Sequence, residues 1–204
     1  ASLELNCLEE THYKNVRVSN VYIDQQRDSH VNHNVITLHN GTTRNQLDLV
    51  FKGEGAECSC NGCVIADKQQ HVDNNTLIDH QVGHCTSNEL YKYVLNDASV
   101  GAFAGKILVR HGAEKTLSQE TNQNLCATKQ ARMFTQPMLE IYADDVQCNH
   151  GSTVGQLNDA ALFYMQQRGV DKMELEPLKD RLHHLVEMRF RGKLNKCEGC
   201  KLCK

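Results

Sequence analysis

Short apolar runs rich in β-branched residues recur roughly every 12 to 17 residues up to about residue 146, and this spacing restricts the fold more than any other feature. Between them lie glycine, asparagine and aspartate, which favour turns. The spacing fits either a β-sandwich or a stacked solenoid. With only 2 prolines and 5% aromatic residues, the chain suits the narrow aliphatic core of a solenoid better than a sandwich. The sequence therefore favours a β-helix.

The individual segments can be assigned from this pattern. The predicted strand runs are residues 35–38, 47–51, 63–65, 76–78, 91–95, 106–109, 124–126 and 139–142. The predicted turns are residues 40–41, 53–55, 73–75, 96–97, 111–112 and 144–145.

The pattern changes after Val154. Asn158 is a suitable N-cap and Gly169 a suitable stop for a first helix. A second apolar stripe at three- and four-residue spacing follows and ends at Gly192. The predicted organisation is a β-helix core over residues 1–154 and a helical C-terminal subdomain with a cysteine-rich tail over residues 155–204.

Charge and hydropathy exclude several classes of function. The net charge is −3 with both signs well mixed, which argues against a nucleic-acid surface. The basic stretch 181–196 is better interpreted as a solvated helix flank. No apolar run approaches the ~20 residues that span a bilayer. Because the first residues also lack the features of a signal peptide, we expect a cytoplasmic protein.

Cys148 and His150 are two residues apart at the end of the β-rich region. In an extended segment they share a face, where a thiolate and an imidazole can bind a soft metal or the imidazole can activate the thiol. Two ligands do not close a metal site, so a partner surface would have to complete it. Spacing alone favours the simpler interpretation, a buried cysteine beside a hydrogen-bonded histidine.

Two cysteine clusters leave alternatives open. The C-terminal tail repeats C-x-x-C spacing, which is typical either of a metal site that needs a fourth ligand or of an oxidation-sensitive tail; its cysteines are Cys197, Cys200 and Cys203. The earlier cluster, Cys58, Cys60 and Cys63, is better interpreted as small core filler, with Gly62 turning the chain.

Histidines at positions 71, 80 and 84 lie near acidic residues, as is common in turns between strands. We interpret these histidines as structural.

Several ordered phrases resemble the core domain of the SufB/SufD family, and within it the SufD branch. The most specific are PMLEIYADDV at residues 137–146 and CNHGSTVG at 148–155, and the resemblance covers about residues 30–169. It implies a right-handed parallel β-helix followed by C-terminal helices, with the family's N-terminal helical region absent from this chain. It also implies a non-catalytic scaffold of the SUF iron–sulfur cluster assembly machinery.

The resemblance carries further expectations about partners and sites. The β-helix would pair with SufB, or with a second copy in isolation, and the C-terminal helices would dock the SufC ATPase. His150, with Cys148 beside it, would handle iron or a nascent cluster at the SufB interface. No tightly bound cofactor is expected in the isolated chain, only transient iron or a cluster in the complex. The residues assigned to docking are Leu162, Phe163, Tyr164 and Arg168.

Two competing functions remain at this point. One is a carbohydrate-active β-helix lyase or hydrolase, for which Asp144 and Asp145 are the adjacent acidic pair nearest the key motif. The other is a self-contained metal protein that uses the cysteine tail. Motifs for serine hydrolases, P-loops and dinucleotide binding are absent from the sequence.

Overall fold

A computed structural model describes residues 1–10, 14–38 and 41–156, and these residues form eleven β-strands without a helix. They belong to one compact unit, Ala1–Gln156. The strands are β1 (Ser2–Glu10), β2 (Val16–Gln25), β3 (His30–Leu38), β4 (Thr42–Phe51), β5 (Glu57–Ala66), β6 (His71–His80), β7 (Thr86–Leu95), β8 (Val100–Val109), β9 (Leu117–Cys126), β10 (Arg132–Ile141) and β11 (Gln147–Gln156).

The predicted C-terminal helices lie outside the described residues. So do the assigned docking residues Leu162, Phe163, Tyr164 and Arg168 and the tail cysteines Cys197, Cys200 and Cys203. The division at residues 154 and 155 stays a prediction.

The strands alternate between two parallel sheets. Odd-numbered strands form a six-stranded sheet in the order β1-β3-β5-β7-β9-β11, and even-numbered strands form a five-stranded sheet from β2 to β10. Each turn of the chain therefore contributes one strand to each sheet, and eleven strands make about five turns of a β-solenoid. Successive strands begin 12 to 17 residues apart, which confirms the predicted spacing and the parallel β-helix.

The core is built from aligned columns of side chains. In strands such as β5 and β8 every second residue is buried, as the two-residue period of a strand requires. Because each strand pairs in register with the next one in its sheet, the same position recurs from turn to turn. One such column contains Leu49, Ile78 and Ile107, which are all fully buried. Every inward side chain thus lies above and below its counterparts.

The predicted turn at residues 73–75 is wrong, because these residues lie inside β6. Asn74 faces inward, where its amide nitrogen donates to the hydroxyl of Tyr93 at 2.6 Å and its oxygen accepts from the amide of Asn45 at 2.9 Å. A stack of polar side chains supplies the hydrogen bonds that an asparagine otherwise seeks in a turn. The register therefore overrides the local turn preference.

Gly62 does not turn the chain either, because it lies within β5 and faces the core. The ring of Tyr91, its in-register neighbour on β7, covers it. A Cβ atom at Gly62 would stand 2.1 Å from Cδ1 of that ring. The glycine is therefore needed for space and not for a turn.

The first two strands were not predicted as strands. The alternating Leu3, Leu5 and Cys7 of β1 carry a period-two signal that could have indicated the first. In β2 the outward Val18 and Tyr22 are more apolar than the inward Arg17 and Ser19, so its alternation is obscured.

Candidate functional site

His150 lies at the end of an inward-facing column in the six-stranded sheet. The in-register positions of this column are Leu5, His33, Cys60, Glu89, Glu120 and His150. From His33 to Glu120 every member is buried and can ionise or bind a metal, whereas His150 on β11 is exposed. The strand register therefore joins the sequence-predicted histidine to a polar interior.

Cys148 and His150 lie on the same face of β11, as the sequence spacing predicts. Cys148 is half-buried and packs against the small apolar cluster that contains Ile107 and Val109. Burial raises the pKa of the Cys148 thiol, and a backbone hydrogen bond at Ser118 partly opposes the shift. The Cα atoms of Cys148 and His150 are about 6.6 Å apart along a strand, so one soft ion could contact both side chains.

A hydrogen-bonded polar group lies beside His150 on the inner face. Thr135 of β10 donates to the side-chain oxygen of Asn122 at 2.8 Å, and the hydroxyls of Thr135 and Ser152 lie 3.0 Å apart. These bonds connect the two sheets at the level of β10 and β11. The strand that carries Cys148 and His150 is therefore anchored to the rest of the solenoid.

Below His150 lie two completely buried carboxyl groups. Glu89 and Glu120 are neighbours on β7 and β9, and none of their four oxygens has a hydrogen-bond partner. Burial, and next the charge of Glu120, raise the pKa of Glu89 to about 8. Burial raises the pKa of Glu120 to about 7. Gly105 of the opposite sheet makes room, since a Cβ there would stand 2.3 Å from a Glu120 oxygen.

The column continues to Cys60 and His33. A hydrogen bond with Cys58, followed by burial, raises the pKa of the Cys60 thiol well above its usual range. Burial lowers the pKa of His33, and neither of its ring nitrogens has a partner. His33 borders a cavity of about 20 Å³ that Asn45 and Glu9 also line. That volume suits a single water molecule.

The interpretation of the earlier cysteine cluster as core filler is confirmed for two of its members. Cys58 and Cys60 are buried and face inward, whereas Cys63 lies on the other face of β5. All three are free thiols.

Of the three histidines interpreted as structural, His80 has the burial and contacts of a core residue, and for His71 and His84 the interpretation stays a prediction. His80 is buried, with its Nε2 3.0 Å from the hydroxyl of Ser87 and its ring stacked on Phe51. His71 and His84 are exposed at the start of β6 and in the turn before β7. Within the part of the chain that the structure describes, no group of three or more His, Cys, Asp or Glu side chains is placed to hold one metal ion.

Glu89 and Glu120 were not singled out from the sequence. Each stands in a polar run, and only the alternation of its strand places it in the core. The pairing of β7 with β9 then brings the two together across 31 residues of chain. Alignment of the repeats by their turns is the signal that could have found them.

The comparisons with known proteins agree with this architecture. The family model described as the SufBD core domain of SUF system FeS cluster assembly matches residues 1–178. The iron–sulfur cluster assembly protein SufD of Escherichia coli is 36% identical over 135 residues, which cover 66% of this chain and 32% of that protein. SufD of Bacillus subtilis is 28% identical over 153 residues, or 74% of this chain and 35% of that protein.

A SufBD family iron–sulfur cluster assembly protein of Synechocystis is 28% identical over 165 residues, which cover 78% of this chain and 36% of that protein. The chain thus spans about a third of the length of these curated relatives. No helix among the described residues is long and apolar enough to cross a membrane. The parallel solenoid, the ordered motifs and these matches together show that the chain belongs to the SufB/SufD family of SUF iron–sulfur cluster assembly proteins.

Proposed function

We propose that this chain is a non-catalytic scaffold component of the SUF machinery that pairs with SufB through its β-helix and docks SufC through residues that include Leu162 and Tyr164. In this proposal His150 and Cys148 form half of a site that handles iron or a nascent cluster, in the cytoplasm. The observation that carries it is the position of both side chains on the inner face of β11, with His150 exposed and Cys148 half-buried. A second protein could reach them there.

Strand edges at the same level support a partner of this kind. Among the described strands, β11 pairs only with β9 and β10 pairs only with β8. Each therefore has one edge that no other described strand pairs with, and such an edge is a common basis of strand-to-strand association. A second β-helix is a partner of suitable shape, and a second copy of this chain is the alternative.

The chemistry of the pair fits iron as cargo. Thiolate sulfur and imidazole nitrogen are ligands of iron and iron–sulfur clusters, and two of them leave coordination positions open. A site completed by ligands from a partner can release its contents when the partner moves. The half-buried thiol also has its pKa raised by burial, so it stays protonated in the isolated chain at neutral pH.

The carbohydrate-active alternative receives no support from the described residues. Asp144 and Asp145 lie in the turn between β10 and β11, and Asp145 is paired with Lys115. The alternative that depends on the cysteine tail falls outside the described residues.

Reconstitution tests the proposal. The protein that contains this chain would be purified with SufB and SufC, and cluster formation would be compared for the wild type, His150→Ala and His71→Ala. His71 is an exposed outward-facing histidine and serves as the matched control. We expect all three complexes to assemble and only His150→Ala to form clusters slowly. Failure of the wild type to associate refutes the scaffold role, and undiminished cluster formation by His150→Ala refutes the site.

A further inference from the structure

Glu89 and Glu120 contrast with another buried glutamate of the same solenoid. Glu9 is also buried and inward-facing, but its oxygens accept from Thr37 at 2.8 Å and Asn45 at 3.1 Å and pair with Arg17 at 2.8 Å. The four oxygens of Glu89 and Glu120 have no hydrogen bond of ordinary geometry, and only the Thr76 hydroxyl lies close enough to Glu89 to lower the pKa of that carboxyl group. A fully buried polar group without a partner is costly and calls for an explanation. Glu9 shows that this fold can supply partners to a buried glutamate.

A third unsatisfied group faces the same place from the opposite sheet. The hydroxyl oxygen of Thr76 is buried without a hydrogen bond of ordinary geometry, but it lies close enough to Glu89 to donate to it and so to lower the pKa of that carboxyl group. Gly105, the in-register neighbour of Thr76, faces Glu120. The two carboxyl groups of the six-stranded sheet therefore face the Thr76 hydroxyl and Gly105 of the five-stranded sheet.

The spacing of this group suits a metal ion. In-register neighbours on parallel strands are about 4.8 Å apart, so two carboxylates can lie on either side of an ion at ligand distances of about 2.0–2.6 Å. Two buried carboxylates without a cation beside them are unfavourable. One divalent ion neutralises both charges. Magnesium gives up its bound water reluctantly and is rarely held by protein groups alone, so a closed interior site favours another small divalent ion such as manganese.

We propose that Glu89, Glu120 and Thr76 form an interior site for one small divalent transition ion, such as Mn²⁺ or Fe²⁺, one turn below His150. Calcium, with its 6–8 oxygen ligands, is a poorer fit to three side chains in a narrow core. The site is separate from the pair formed by His150 and Cys148 and does not depend on the scaffold proposal. Ions would enter from the end of the solenoid at which His150 is exposed.

Titration with Mn²⁺ alone tests the site, because this hard ion discriminates against thiolate ligands such as the cysteine tail. The intact protein would be freed of metal with a chelator, and bound Mn²⁺ would be measured from the loss of the free-ion electron paramagnetic resonance signal. The variants are Glu89→Gln/Glu120→Gln together and Thr76→Val. Glu114→Gln is the matched control, because Glu114 is exposed in the turn before β9.

We expect one Mn²⁺ per wild-type chain, the same in Glu114→Gln, none in the double variant, and binding weakened about ten-fold in Thr76→Val. Circular dichroism would verify that each variant is folded. Absence of binding by the wild type up to about 1 mM, the weak end of protein oxygen sites, overturns the proposal. Equal binding by the wild type and the folded double variant also overturns it. If the double variant does not fold, undiminished binding by Thr76→Val has the same consequence.

Discussion

Replacing Glu89 with glutamine should remove a pH dependence from the stability of the solenoid. Glutamine has nearly the shape of a protonated glutamic acid and cannot ionise. When the chain is folded and free of metal, burial and the charge of Glu120 raise the pKa of Glu89 from 4.5 to about 8. The folded state thus keeps a proton that the unfolded state releases. Stability is complete below pH 4.5 and is lost as the pH rises through about 8.

The size of the effect follows from these two values. Linkage between a pKa of 4.5 and one of about 8 amounts to about 3 kcal/mol at pH 7 and about 5 kcal/mol above pH 8.5. Wild type and Glu89→Gln should therefore be about equally stable at pH 4.5. The variant should become progressively more stable than the wild type as the pH rises.

Urea unfolding followed by circular dichroism, in the presence of a chelator and from pH 4.5 to 8.5, measures this difference. Glu114→Gln provides the control, because this exposed glutamate should leave the pH profile parallel to that of the wild type. Parallel profiles for Glu89→Gln and the wild type would refute the reasoning. They would mean that the carboxyl group of Glu89 is hydrated or paired in the folded protein.

Substitutions of Gly62 and His80 test the packing of the core and the response of its stability to pH. Gly62→Ala places a Cβ 2.1 Å from the Tyr91 ring and should lower the free energy of unfolding by about 1–3 kcal/mol. Gly151→Ala is the control, because the space around Gly151 is open and the free energy of unfolding should change little. Urea unfolding of both variants measures the difference. Burial lowers the pKa of His80 to about 4, so the unfolded state takes up a proton first and stability falls by about 3 kcal/mol as the pH drops from 6.5 to 4. His80→Gln should reduce this loss of stability between pH 6.5 and 4. An unchanged loss in the variant would mean that other groups cause it.

The fold was largely predictable because local sequence patterns mark each strand and each turn of the repeat. Strand runs such as residues 91–95 and turns such as 96–97 recur at nearly the length of half a solenoid turn. The features that local patterns did not predict depend on contacts between successive turns of the solenoid. Asn74 lies in a strand because Asn45 and Tyr93 satisfy its amide, and no nearby residue reveals this.

The candidate site was predictable only in part, for the same reason. Cys148 and His150 are two residues apart, so their shared face follows from strand geometry alone. Glu89 and Glu120 are 31 residues apart, and they become neighbours only through the register of β7 and β9. The groups that face them, Gly105 and Thr76, come from the other sheet. A property that needs three aligned repeats cannot be read from one of them.

The central claim is that His150 and Cys148 provide half of a metal-handling site that a partner completes. X-ray absorption by iron in the complex of this protein with SufB and SufC tests it most directly. We predict imidazole scattering and sulfur ligation in the wild type, with the imidazole contribution lost in His150→Ala and retained in His71→Ala. Identical spectra for the wild type and His150→Ala, at equal iron content, would contradict the account.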